Sequence, residues 1–290
     1  LRIPGPLRRP RDFLLAILGH AAMSSVPANA PPLGLYVHVP FCRRKCAYCD
    51  FYSVTALSRR SAYLAALARE IRLRAEPGRG ADAVFFGGGT PSLLAPRQVG
   101  AVLEELETAF GLLPGAEITL EANPGTVDRR RLEGFRAAGV NRLSLGVQSF
   151  RDAALAWLGR LHDRRQALAA VRAARRAGFA NLGLDLIYGL PGQNREAWQA
   201  DLETALALTP EHLSCYLLPI EPDTPLGRAR NAGQVRPLAE GAAAALFDFT
   251  HTFLASRGMP PYELSNFAAA PGLRSRHNLK YWTLSPYRGF

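Results

Sequence analysis

Short apolar runs and amphipathic helical patterns alternate along most of this 290-residue chain, and that alternation restricts the fold more than any other feature. Apolar runs at 35–39, 83–86, 117–121, 142–147, 182–187 and 212–218 read as strands. Between them, residues 58–75, 96–110, 127–138, 153–158, 164–177 and 195–208 read as helices, with Tyr63, Leu64, Leu67 and Ile71 at helical spacing in the first. Gly139 and Gly178 stop two of these helices. Strand–helix–strand units pair their strands in parallel through right-handed crossovers. Six of them predict an α/β fold, an incomplete (β/α)6 barrel rather than a closed eight-fold one. In such a sheet, ligands gather at the carboxyl ends of the strands. Residues 221–236 read as a loop, followed by a helix at 238–257 and by two further segments at 262–266 and 276–282.

The first strand leads into Cys42, Cys46 and Cys49, spaced C-x3-C-x2-C. Three thiols this close can converge on one metal centre, but three is an odd number for disulfides and one short of a closed tetrahedral zinc site. A 4Fe–4S cluster held by three cysteines leaves one iron open to an outside ligand. Zinc needs a fourth ligand, and His38 is the candidate in the sequence. Gly87-Gly88-Gly89-Thr90 follows the second strand; glycines there read either as a plain turn or as a place where the backbone approaches a ligand. Asp185 lies inside an apolar strand, where a carboxylate needs a partner. Cys215, in LSCYLLPI, reads as a buried strand residue.

The cysteine spacing, with Tyr48 before the last thiol, resembles the radical S-adenosylmethionine (SAM) enzymes. The segments LYVHVPFC, FFGGGTPS, LSLGVQSF, DLIYGLPGQ, YELSNF and RHNLKYW resemble, in order, the HemN/HemW group within them. That group joins oxygen-independent coproporphyrinogen III oxidases to the HemW heme chaperones. The resemblance runs from about residue 33 to the end of the chain. It implies a partial (β/α)6 barrel, a 4Fe–4S cluster on Cys42, Cys46 and Cys49, and SAM on the open iron. The matching SAM contacts are Tyr36, Tyr48, Gly88, Gly89, Thr90, Glu121 and Gln148. Arg160 and Asp185 match positions that hold a second SAM in the oxidase.

Where the oxidases carry a further cysteine two places after the third, this chain has Phe51, the pattern of the HemW branch. His277-Asn278-Leu279-Lys280-Tyr281 matches that branch's H-N-x-x-Y motif, which implies heme as a ligand, His277 and Tyr281 as candidate ligands, and an acceptor hemoprotein as the partner. The acceptor is expected in the cytoplasm or at a membrane. The runner-up expectation is the oxidase itself, removing carboxyl groups from propionate chains.

Net charge is +11, and the basic residues are almost all arginine, Lys45 and Lys280 being the lysines. The arginines are scattered over helical faces with no recognition module, so no nucleic-acid partner is expected. A basic surface suits a carboxylate-bearing porphyrin. Clustered cysteines without a disulfide framework point to a reducing, cytoplasmic setting. The stretch RRPRDFLLAILGHAA has the pattern of a signal peptide. The preferred reading is a tail, 1–33, lying largely upstream of a start at Met23. The remaining expectations are a core barrel at 34–236 and, at 237–290, the start of a C-terminal region that relatives extend further.

Overall fold

The structure, a computed structural model, describes residues 30–290; the expected tail, its signal-like stretch and Met23 lie outside the described residues. Six parallel strands are arranged in chain order: β1 (Leu33–Val39), β2 (Ala81–Gly88), β3 (Leu112–Ala122), β4 (Arg142–Gln148), β5 (Leu182–Tyr188) and β6 (His212–Leu217). Each crossover between them carries at least one helix. These are α1 (Arg60–Leu73), α2 (Pro96–Phe110), α3 (Arg129–Ala137), α4 (Asp152–Trp157), α5 (Arg164–Arg176) and α6 (Arg195–Ala207). The α/β class and the partial barrel are as the alternation predicts, with helix ends within about two residues of the expected ones.

The strands read as alternating, and the alternation divides the core. In β4, Leu143, Leu145 and Val147 join the hydrophobic core with Leu182, Leu184 and Leu186 of β5 and Leu213 and Cys215 of β6. They pack against helix residues such as Leu106, Phe135, Val171 and Trp198. The intervening residues, Arg142, Ser144 and Gly146 in β4, Gly183 and Asp185 in β5, and His212 and Ser214 in β6, are small or polar and meet one another across the strands. The result is an apolar layer under the helices and a polar lumen on the other face.

Three elements go beyond the expected order. The segment 221–236 contains α7 (Pro225–Asn231), where the sequence reads as a loop throughout. Thr224 caps it, its hydroxyl accepting from the Gly227 amide at 3.0 Å, and Pro225 occupies the first turn. Seven residues are too few for a helical period to stand out from a proline-rich stretch. After α8 (Glu240–Ser256), β7 (Asn266–Ala268) pairs antiparallel with β6. After α9 (Arg276–Trp282), β8 (Tyr287–Gly289) pairs parallel with β1. Residues 237–290 thus extend both edges of one open eight-stranded sheet, ordered β7-β6-β5-β4-β3-β2-β1-β8. Among the described residues, no helix is long and apolar enough to cross a membrane.

Helix α7 bears directly on the cysteine loop, because the Leu226 amide donates to the Ala47 carbonyl at 2.9 Å. A Cβ on Gly227 would collide with the Glu221 carbonyl. Gly227→Ala is expected to cost about 1–3 kcal/mol, as overpacking does, and to loosen the loop between Cys46 and Cys49. Urea denaturation measures the first effect; faster alkylation of the thiols in the folded protein measures the second.

Candidate functional site

The loop after β1 is pinned at its base. The Cys42 amide donates to the Val54 carbonyl at 2.9 Å, and the Val54 amide returns to Pro40 at 2.7 Å. Within the loop, the Cys49 amide donates to the Cys46 carbonyl at 3.1 Å. All three thiols are free and half-buried. Cys46 and Cys49 pack on a small apolar cluster that includes Tyr48, Leu158, Ile187, Leu190, Leu218 and Leu226. Burial pushes the Cys49 thiol up, and the neighbouring Cys46 and Cys42 add to this, against the Phe51 amide and Lys45.

A zinc site completed by His38 is not what the structure builds. One His38 nitrogen meets the Tyr36 hydroxyl at 3.2 Å and the other the Tyr52 carbonyl at 2.9 Å. Among the described residues, no three His, Cys, Asp or Glu side chains converge closely enough for a single metal ion. A set of three free thiols at a half-buried mouth fits a 4Fe–4S cluster, in which each cysteine binds its own iron.

The end of β2 lies flush against this loop. Gly88 has φ +108°, and a Cβ there would stand 2.7 Å from the His38 ring. A Cβ on Gly89 would stand 2.8 Å from the Phe41 carbonyl oxygen, so both positions exclude any side chain. Thr90 follows, its hydroxyl 3.6 Å from the Cys42 sulfur and accepting from the Asn123 amide group at 2.9 Å.

Arg160 ties the loop to the barrel. Its guanidinium donates to the Asn123 side chain, to the Gly146 carbonyl at 2.9 Å and to the Tyr48 hydroxyl at 3.3 Å, and stands 3.7 Å from the Cys46 sulfur. A cavity of about 140 Å³ opens beside it, lined by Arg43, Arg44, Cys46, Thr90 and Asn123 among others. Gln148 ends β4 at φ +70°, a left-handed conformation costly for a side-chain-bearing residue, and the register shifts just before it.

Two carboxyl groups face the lumen. Burial, with Asp185 nearby, raises Glu121 to about 8, against a hydrogen bond from Gly88 and the charge of Arg142. Burial also raises Asp185, opposed by the Ser214 and Ser144 hydroxyls and by Arg142 and Arg160. The Ser144 hydroxyl lies 3.0 and 3.1 Å from the two Asp185 oxygens.

His277 is 1% exposed and stacks on Tyr36 and Phe85, at centroid distances of 5.9 and 5.4 Å. One ring nitrogen meets the Tyr281 hydroxyl at 2.8 Å, and the other has no partner among the described residues. Burial lowers its pKa to about 4, so the ring is neutral. Tyr281 is 41% exposed. The accessible group of the pair is therefore the tyrosine, with the histidine behind it.

The structure thus brings Cys42, Cys46, Cys49, Tyr48, Thr90 and Arg160 into direct contact or onto one loop, with Gly88 and Gly89 beside it and Glu121, Gln148 and Asp185 on the adjoining strands. It joins Tyr36 to His277 by stacking. Sequence reading missed Asn123, Arg142, His212 and Ser214. Their signal was present: each sits two residues, or an even number, from an inward-facing residue on the same strand or its extension.

The raised Glu121 makes a signed prediction. A carboxyl whose folded pKa exceeds its unfolded value of 4.5 favours the folded state when protonated, and loses that relative advantage as pH rises toward 8. Glu121→Gln should therefore leave stability unchanged near pH 4 and raise it at pH 9, by at most about 4–5 kcal/mol. Denaturant titration of the metal-free protein at both pH values measures the difference.

The Radical SAM superfamily model matches residues 36–205. The chain is 40% identical over 263 residues to the heme chaperone HemW of Escherichia coli, covering 89% of this chain and 68% of that protein. It is 39% identical over 265 residues to that of Synechocystis, covering 89% of this chain and 64% of that protein. The chain therefore spans about two thirds of the length of these relatives. Among solved structures, the coproporphyrinogen III oxidase HemN from Escherichia coli superposes with a TM-score of 0.75 at 30% identity, covering 90% of this chain and 59% of that one. Barrel, cysteine loop and comparisons agree that the chain belongs to the radical SAM superfamily and, within it, to the HemW family.

Proposed function

We propose that this protein is a heme chaperone that carries a 4Fe–4S cluster with SAM, binds heme and delivers it to an acceptor hemoprotein. Cys42, Cys46 and Cys49 hold the cluster. When bound, the cluster supplies an electron donor and an open iron for the amino and carboxylate groups of SAM. Tyr36, Tyr48, Gly88, Gly89, Thr90, Glu121 and Gln148 would contact the SAM, and Arg160 and Asp185 match positions that hold a second SAM in the oxidase. Arg160 positions Tyr48 and Asn123; the apolar cluster behind Cys46 and Cys49 excludes water from the thiolate side. Residues 34–236 serve as the core, and 237–290 extend both edges of its sheet. The setting is cytoplasmic, with the acceptor there or at the membrane face.

The observation that carries the chaperone reading is Phe51. It stands two residues after Cys49, where the oxidases have a cysteine, and it is 69% exposed. For heme, Tyr281 is the first group reached and His277 the group behind it. A heme-bound state with ligation through His277 Nε2 requires Tyr281 to release that nitrogen. The competing reading, coproporphyrinogen III oxidation, is favoured by the superposition on HemN and by Arg160 and Asp185 in the lumen.

Anaerobically reconstituted protein, titrated with heme and then offered coproporphyrinogen III, SAM and a reductant, separates the two. The expected outcome is stoichiometric heme binding without decarboxylation; turnover of the porphyrinogen would install the oxidase reading. Alanine at Cys42, Cys46 or Cys49 should abolish the cluster's visible absorption, and an unchanged spectrum would remove that cysteine from the ligand set. His277→Ala and Tyr281→Phe should each weaken heme binding by about tenfold or more, equivalent to ~1.4 kcal/mol, with the cluster spectrum intact.

A further inference from the structure

The turn after β2 gathers two guanidinium groups from two different helices. Arg131, on α3, donates through Nη2 to the Ser92 carbonyl at 2.6 Å and the Leu94 carbonyl at 2.8 Å. Arg60, at the start of α1, donates through Nη1 to the Leu93 carbonyl at 2.8 Å and through Nε to the Leu57 carbonyl at 3.1 Å. Three consecutive carbonyls thus hold two like charges beside one turn, each in a fixed orientation. Neutral carbonyls orient a guanidinium without cancelling its charge. Among the described residues, neither arginine forms an ion pair with a carboxylate. The acids near Arg131 in the chain are spent elsewhere: Asp128 accepts from the Arg131 backbone amide at 2.8 Å, and Glu133 pairs with Arg129 at 2.7 Å.

Both arginines line a cleft of about 350 Å³. Its other polar walls are Ser58, Ser61, Arg97 and Gln98, and no Asp or Glu is among its lining residues. Gln98 turns its side-chain oxygen to the Ala95 amide at 2.8 Å, which leaves its NH2 group as a donor. The cleft therefore combines positive charge with guanidinium, hydroxyl and amide donors. The first turns of α1 and α2 form part of its wall, and the positive ends of their dipoles add to the charge that the guanidiniums set. A second cavity, of about 240 Å³, shares Leu57, Arg60, Leu93 and Arg131 with the first and reaches Arg43 on the cysteine loop.

We propose that this cleft is a binding site for a phosphate group, seated between Arg60 and Arg131. A guanidinium held in one orientation pairs its fork of N–H groups with two oxygens of an oxyanion, and two such forks suit a phosphate better than a carboxylate. A carboxylate has two oxygens and a single charge. A phosphate monoester presents three oxygens and close to two charges at neutral pH, which matches two guanidiniums and leaves an oxygen for the serine hydroxyls or Gln98. The adjoining cavity gives room, toward Arg43, for a body attached to the phosphate. None of the residues read as cluster ligands or SAM contacts lines either cavity, so the site stands independently of that reading.

Isothermal titration of the full, anaerobically reconstituted chain with inorganic phosphate, glycerol 3-phosphate and acetate, in about 0.1 M sodium chloride, tests the site. The expected result is saturable binding of at least one phosphate compound and none of acetate. Tighter binding of glycerol 3-phosphate assigns the site to a phosphorylated molecule; binding of inorganic phosphate alone assigns it to the free ion. Ser61→Asp places a carboxylate in the cleft at an exposed position in the first turn of α1, where an acid suits the helix dipole and the fold is retained. Its like charge should weaken phosphate binding about tenfold or more. Arg172→Gln makes the same change in net charge at an exposed position on α5 and should alter the affinity by less than about twofold. Arg131→Lys keeps the charge but loses the fork, and should weaken binding several-fold. Absence of saturable heat with both phosphate compounds overturns the proposal, as does an affinity for acetate equal to theirs or one that Ser61→Asp leaves unchanged. Equal weakening by Arg172→Gln and Ser61→Asp also overturns it, since the anion would then follow only the chain's net charge.

Discussion

A carboxylate or guanidinium taken from water into a protein interior is tolerated only where other polar groups replace the solvent. The lumen of this protein places Glu121, Asp185 and Arg142 on neighbouring strands within one enclosure, with hydroxyls of Ser144 and Ser214 between them. That mutual dependence sets the rest of the site. Arg142 opposes the rise of both acids, and Asp185 adds to the rise of Glu121. The arrangement keeps acceptor oxygens available where the strands end, at the cost of a group held well above its ordinary pKa. Such perturbed carboxyls concentrate at binding sites because a ligand can supply the hydrogen bonds that the fold alone does not.

Arg160 carries the second connection. From the segment after α4 it reaches Asn123 beyond β3, Gly146 on β4, and Tyr48 and Cys46 on the cysteine loop. A single guanidinium thereby ties the cysteine loop to β4 and to the segment after β3, in a planar fork that lysine does not reproduce. Helix α7 holds the same loop through the Leu226 amide on the Ala47 carbonyl. Between these two supports, Cys46 and Cys49 rest on an apolar cluster, while Cys42 turns toward Thr90. The HemW family membership and this geometry describe the same mouth from different starting points.

The segment after residue 236 is interwoven with the barrel. β7 and β8 close opposite edges of the sheet, and α9 inserts His277 against Tyr36 and Phe85. Lys280, buried on the same helix, reaches Asp82 at 2.7 Å and the Pro32 carbonyl at 2.8 Å. Through Tyr262, the start of α9 also touches His212 on the lumen floor. The residues considered for heme and those considered for SAM are thus linked by packed rings on one side and by hydrogen bonds on the other.

By itself the sequence determined the class, the order of strands and helices, and the identity of the three thiols. Those follow from local rules: hydrophobic period, glycine stops and the spacing of cysteines within one loop. It also carried the alternation of Leu143, Leu145 and Val147 with Arg142, Ser144 and Gly146, from which a polar inner face was legible though not read. Only the tertiary structure decided that α7 forms and clasps the loop, that His38 is spent on Tyr36 and Tyr52, and that His277 lies behind Tyr281. It alone set Gly183 opposite Ser144 and His212. Each of these depends on residues far apart in the chain meeting across strands, and their distances are fixed by sheet register and helix docking, which no local pattern encodes.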